Sequence, residues 1–171
     1  MHMKTLISKK LAVVTAGIIS ATLMATSAQA ASVTATASAE VKTPIAITAG
    51  APLNYGNIAV GATGGTAVLT TADALTVTGD VSALTGVTPT SGAFSVSGSG
   101  ASTYSITLPT TVSLTGPGPA MTVSALSHNA GATPALSLGA AAFKVGGTLT
   151  VGAAQTIGVY SGSYAVTVNY Q

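Results

Sequence analysis

Apolar and polar residues alternate at period two over much of the chain after residue 30. In "ASVTATASAEV" the odd positions Ala31, Val33, Ala35, Ala37, Ala39 and Val41 are apolar, and Ser32, Thr34, Thr36, Ser38 and Glu40 between them are polar. The last stretch, "GVYSGSYAVTVNYQ" from Gly158, repeats the device. Tyr160, Tyr164, Val166, Val168 and Tyr170 fall on one face with Gly162 among them, and Ser161, Ser163, Ala165, Thr167 and Asn169 on the other. Successive side chains of a strand point to opposite faces, so both ends are expected to be half-buried strands at sheet edges.

Between them lie short runs rich in Val, Thr, Ile, Leu and Ala. The pattern predicts strands near Ser32–Val41, Ile45–Thr48, Leu53–Val60, Thr66–Thr71, Ala74–Thr78, Ala93–Ser97, Thr103–Leu108, Val112–Thr115, Met121–Leu126, Ala135–Leu138, Ala142–Val151 and Val159–Tyr170. Expected turns are Gly64-Gly65, Gly79-Asp80, Gly98 to Gly100, Gly116 to Pro119, His128 to Gly131 and Gly146-Gly147. No helical period and no long linker interrupts the series. Many short strands spaced by turns imply an all-β chain, a single antiparallel β-sandwich of the Ig-like kind.

The first thirty residues break this pattern. Lys4, Lys9 and Lys10 precede the apolar run Leu11–Met24, and Ala28-Gln29-Ala30 has the small-x-small form of a cleavage site, so residues 1–30 read as a secretory signal peptide cut after Ala30. The cut changes the charge. The whole chain carries +2, but three of its five lysines lie before residue 30. Lys42 and Lys144 then stand against Glu40, Asp73 and Asp80, two cations against three anions, for a formal charge of −1. With so little basic charge, nucleic-acid binding is not expected. The chain has no cysteine and no tryptophan, so a secreted domain of this composition must rely on aliphatic burial and strand pairing rather than disulfides.

Catalytic chemistry is thinly supplied. After residue 30 there is one histidine, His128 in "SHNAG", and three carboxylates on separate segments. His128 has no His or Cys at metal-ligand spacing, and Asp73 in "TADAL" and Asp80 in "TGDVS" sit where a turn uses Asp to bond its own backbone. "GATGGT" lacks the lysine of a phosphate-binding loop. No enzyme, metal site or cofactor is expected.

What remains is the chemistry of strands. The segment Ala31–Val41 can be an ordinary strand of its own sandwich. It can also leave its domain as an arm and complete a neighbour's sheet, where backbone hydrogen bonds hold it and alternate side chains fill a groove. Thr43-Pro44 after it is a natural break in pairing. A small outer-membrane β-barrel is a further possibility by length, but the chain has few aromatics for two interfacial girdles.

The Sec-type leader, the alternating extension and a C-terminal strand with Tyr170 next to last and Gly158 near its start resemble bacterial pilins of the chaperone and usher route. The interior segments "LNYGNIAVG" from Leu53, "STYSITLP" from Ser102 and "SGSYAVTVNY" from Ser161 are similar to a family of secreted Gram-negative proteins known only as a domain of unknown function. The resemblance implies export through the periplasm to the cell surface and a fimbrial setting that supports adhesion or biofilm. It also implies a periplasmic chaperone and an outer-membrane usher as partners. It casts Val33, Ala35, Ala37, Ala39 and Val41 as a donor strand. Gly158, Tyr160, Tyr164, Val166, Val168 and Tyr170 would form the edge strand bordering a partner.

The expected organisation is thus residues 1–30 as signal peptide, 31–42 as an N-terminal extension and 43–171 as the sandwich. The expected function is that of a structural subunit which polymerises with copies of itself or enters a mixed polymer as a minor component. The alternative is a self-contained surface module binding carbohydrate or another adhesin ligand. Tyr55 and Tyr104 are its candidate contacts, although packing is the more ordinary role of such tyrosines.

Overall fold

Strand β8 (Ala140–Val151) is the axis of the molecule. A computed structural model describes residues 30–171, and these hold nine strands, all antiparallel, with no helix among the described residues. The others are β1 (Ala46–Ala49), β2 (Asn57–Leu69), β3 (Leu75–Leu84), β4 (Gly92–Ser97), β5 (Tyr104–Thr107), β6 (Thr111–Leu114), β7 (Met121–His128) and β9 (Thr167–Tyr170). The expected signal peptide falls outside the described residues apart from Ala30.

One edge of β8 is laddered to β7. The other carries β4 along Ala140–Val145 and β2 along Gly147–Val151. Outward from these, β1 joins β4, β3 joins β2 and β6 joins β7, while β5 and β9 form a separate two-stranded sheet. The large sheet does not close, because β1, β3 and β6 are each laddered on one side only. The result is a sandwich-like all-β fold rather than a barrel.

Burial explains why β8 is central. Phe143, Val145, Gly147, Leu149 and Val151 alternate along one of its faces and are all buried. An antiparallel strand with one face on the core is expected to alternate in this way. Two core clusters line up along it. Leu149 and Val151 belong to the first, with Tyr55, Ala67, Leu69, Val81, Val112, Met121 and Val123. Phe143 and Val145 belong to the second, with Val96, Tyr104, Leu136 and Val168, where β5 and β9 form the cover. Each buried Val, Leu or Phe contributes about 1.5–3 kcal/mol relative to exposure. Tyr164 packs against both clusters and meets Phe94 edge-on at 6.1 Å, and Phe94 stacks on Phe143 at 5.3 Å.

Three of the expected glycine turns are not turns. Gly64-Gly65 lies inside β2 and Gly79-Asp80 inside β3, with Gly65 and Gly79 directly opposite each other beside a bulge that begins after Val60. A Cβ on Gly65 would fall on the Thr78 carbonyl, and one on Gly79 would lie 2.7 Å from the Gly64 oxygen. The glycines are there for close backbone approach. Leu53–Val60 and Thr66–Thr71, expected as two strands, therefore merge largely into the one strand β2. Gly146-Gly147 likewise lies within β8. A Cβ on Gly146 would strike the Leu69 carbonyl, and Gly147 leaves room for the Tyr55 hydroxyl, 3.4 Å from where its Cβ would stand.

Ala135–Leu138 makes isolated bridges only, with Leu138 in the left-handed region at φ 52°. Glu40–Gln171 is one compact unit. The described residues before it, Ala30–Ala39, carry no strand and are exposed throughout, as are Glu40–Pro44. The alternation in Ala31–Val41 is real, but alternation without a ladder partner does not make a strand.

Candidate functional site

Both core clusters are buried, and a groove opens against the first. Between Asn57–Val60 of β2 and the segment Gln155–Gly162 runs a groove of about 840 Å³. Its floor is Val112, Met121, Val123, Leu149 and Val151, all buried members of the first cluster. No charged side chain lines it. Four apolar residues stand exposed at its rim: Leu84 and Val87 on one side, Ile157 and Val159 on the other, the last two 96% and 86% exposed.

Each wall has a backbone reason. Asn57–Val60 is laddered to β3 alone, since β2 reaches β8 only from Gly65 onward. In an antiparallel ladder every second residue turns its N–H and C=O away from its partner. On the side facing the groove, this part of β2 is therefore an open edge. The opposite wall is held by side chains. Gln155 Nε2 donates to the Pro119 carbonyl and, at 2.9 Å, to Tyr160 Oη, which itself donates to the Thr156 carbonyl at 2.9 Å. The Tyr160 ring lies on the Gly116–Pro119 turn, where a Cβ on Gly118 would come within 2.7 Å of its hydroxyl.

Tyr55 and Tyr164 face the groove from its inner end. Tyr55 is 7% exposed and its hydroxyl has no hydrogen-bond partner among the described residues. Burial pushes its pKa far above the ordinary value, and Tyr164 beside it adds to the effect; burial raises Tyr164 as well. At neutral pH the groove is thus uncharged. It offers apolar surface and backbone hydrogen-bonding groups, which suits an extended peptide and gives no acid–base pair for catalysis.

The family model for a domain of unknown function, DUF4402, matches residues 45–170. The chain belongs to that family. No curated protein matches it. The matched DUF4402 region takes in both core clusters and both groove walls, and it begins after the alternating extension.

The residues singled out by sequence take three positions in the DUF4402 chain. Val33, Ala35, Ala37, Ala39 and Val41 are exposed, Val33 at 93% and Val41 at 95%. Gly158 and Tyr160 belong to the groove wall and Tyr164 joins the two cores. Val166, Val168 and Tyr170 pack on the second cluster, across β9 and the residues leading into it. The regular strand is shorter than expected. Only Thr167–Tyr170 is a strand, laddered to β5, and the stretch before it makes one isolated bridge, Thr115 to Ser161. Gly158, at φ 152° and pressed against the Pro117 ring, lies just before the expected strand. The predicted alternation survives in burial all the same, with Tyr160, Tyr164, Val166, Val168 and Tyr170 inward and their neighbours exposed.

The remaining polar candidates are structural. Asp73, at φ 63°, closes the turn after β2 and accepts from Ser91 N at 2.7 Å, Ser91 Oγ at 2.6 Å and Lys144 Nζ at 2.5 Å. Asp80 is not in a turn; from β3 its carboxylate accepts from Thr63 N across the β2 bulge at 3.3 Å. His128 ends β7 edge-on to Phe143 at 6.0 Å. Tyr55 and Tyr104 are both buried, so neither presents a ring at the surface. The open edge Asn57–Val60 and the Gln155 latch were not legible as a site, because no local pattern marks two segments so far apart in sequence as facing walls.

Proposed function

We propose that this protein is a structural subunit of an extracellular fibre that polymerises noncovalently by strand addition. The arm Ala31–Val41 of one copy enters the groove of the next. The observation that carries this reading is the groove itself, an uncharged apolar slot whose floor is the first core cluster, bordered by the open backbone edge Asn57–Val60.

The arm is suited to such a slot. Its inward set is Val33, Ala35, Ala37, Ala39 and Val41, uncharged and small, and its one charge, Glu40, lies on the opposite face. At roughly 25 cal/mol per Å² these side chains supply only part of the stabilisation, so the added backbone ladder must supply much of the specificity. The resemblance to pilins of the chaperone and usher route supports export through the periplasm with a chaperone covering the groove before assembly. It supports a fimbrial location and a role in surface adhesion or biofilm. The activity is assembly, without catalysis or a cofactor.

The test is to express the chain after Ala30 with and without residues 31–41 and to add a peptide of that segment to the shortened form. The expected result is a shortened protein that is unstable or held by a chaperone and is rescued by the peptide. A stable, folded monomer indifferent to the peptide overturns the reading.

A further inference from the structure

The arm's own pattern cannot say where it stops. Because Ala35, Ala37 and Ala39 repeat at period two, a slip by two residues still puts alanine at two of their three positions and keeps every apolar side chain on the groove side. Register has to come from the groove. The open edge of β2 ends abruptly at Gly61, whose carbonyl accepts from Ala154 N at 3.1 Å.

Ala154 belongs to a short strap, Gly152–Thr156, that leaves the end of β8 and crosses the β2 bulge. The strap is pressed onto the bulge, for a Cβ on Gly64 would lie 2.6 Å from Val151 O and 2.8 Å from Ala153 N. Ala154 is held in the left-handed region at φ 46°, and the Gln155 side chain ties the strap to Pro119 and Tyr160. A non-glycine residue in that region costs about 1–3 kcal/mol and persists only where its surroundings impose it. We propose that this strap is the register stop: it occupies the Gly61 carbonyl, limits the open edge to Asn57–Val60, and so fixes which residues of a second copy's arm lie beside β2. A four-residue edge spans about 13 Å, well short of an eleven-residue arm, so without a stop several registers would fit. The inference rests on the strand-addition reading above.

The chain has no cysteine, so introduced pairs report register directly in the full chain after Ala30. Ala59 and Asn57 are exposed whereas Ile58 and Val60 are half-buried. Ala59→Cys therefore faces the polar side of an added arm, and it is combined in turn with Thr34→Cys, Thr36→Cys and Ser38→Cys. The expected result is an intersubunit disulfide at one of these three positions exceeding the others by about tenfold. Gln155→Ala and Gln155→Glu, which lose the amide donors, are expected to spread the disulfide over neighbouring positions. Ala154→Gly, which keeps the N–H and suits the left-handed backbone, is expected to leave the single position intact. Thermal melts of each variant verify that it is folded. Equal disulfides at two or three positions without any strap variant, or a single position retained in both folded Gln155 variants, overturns the stop. If no arm position gives an intersubunit disulfide, the strand-addition reading itself fails, and the stop with it.

Discussion

The hydroxyl of Tyr170 donates to the backbone carbonyl of Thr43 at 2.7 Å and accepts from Ser99 N at 2.6 Å. The Lys42 ammonium lies 5.8 Å from the centre of the same ring. The last aromatic side chain of the chain thus ties the residues just after the extension to the end of β9 and to the turn after β4. Tyr170→Phe removes the one group that satisfies both backbone partners. The expected loss is about 1–2 kcal/mol in chemical denaturation. Amide exchange at Ser99 should quicken while the β8 amides keep their protection. Unchanged exchange at Ser99 would show that the hydroxyl does not hold this junction.

Asp73 makes acid stability specific. Hydrogen bonds from Lys144 and then Ser91 hold its carboxyl well below the ordinary 3.8. For a carboxylate lowered on folding, the contribution is fully present above the unfolded value and is lost as pH falls through the folded one. Acid destabilisation from this group is therefore expected to begin below about pH 4 and to continue to strongly acidic pH. Asp73→Asn should lower the melting temperature at pH 7 and flatten its decline on acidification. The check is a pair of melting curves against pH, and parallel declines in the two proteins would refute it.

Tyr55 carries an unpartnered hydroxyl in an apolar site. A buried polar group without a partner costs about 1–3 kcal/mol, so Tyr55→Phe is expected to be neutral or to stabilise the fold by about 1 kcal/mol. Its pKa is raised above the ordinary 10.0 by burial. The folded state therefore keeps the proton after the unfolded chain has lost it, and stability should fall as pH rises above 10.0. Tyr55→Phe should reduce that alkaline loss. Denaturation of both proteins on either side of pH 10 measures it.

The parts of the fold legible in the sequence were those that depend on neighbours along the chain. Period-two alternation placed Val166, Val168 and Tyr170 inward and Thr167 and Asn169 outward, and the structure agrees. Asp73 was legible as a turn residue, but its contacts were not: its carboxylate bonds Ser91 and Lys144 across the fold, and Thr70 Oγ1 is the side-chain atom that bonds the turn's own backbone. Gly65 and Gly79 were not legible, because a glycine that bends the chain and a glycine that lets another strand approach look alike until the opposing strand is known. The groove was hidden for the same reason. Its walls, Asn57–Val60 and Gln155–Gly162, are brought together by β8, and the feature that makes it a site is an unsatisfied edge, which leaves no mark on composition.

Gly65 gives a direct test of the close-approach argument. Its Cβ would fall on the Thr78 carbonyl, a backbone atom with little freedom to move. Gly65→Ala is expected to destabilise by about 2 kcal/mol or more. Gly100→Ala is the comparison for left-handed backbone strain without crowding, because Gly100 has φ 52° and nothing lies within 4 Å of its added Cβ. A cost at Gly65 no larger than at Gly100 would mean that β2 and β3 separate easily there.

The rim of the groove separates assembly from folding. Ile157 and Val159 project into solvent at 96% and 86% exposure. Surface substitutions away from packed features typically change stability by less than about 0.5 kcal/mol, so Ile157→Asp and Val159→Asp should melt close to the parent protein. If the groove receives a neighbour's apolar strand, carboxylates at its lip must be desolvated on docking, and multimer formation should fall by about tenfold or more at low salt. The contrast with Leu138→Asp is informative, for Leu138 is 99% exposed but lies outside the groove. The expected outcome by analytical ultracentrifugation is loss of multimers in the two rim variants and retention in Leu138→Asp. Equal loss in all three would trace the effect to added charge rather than to the groove, and equal retention would remove the rim from the assembly surface.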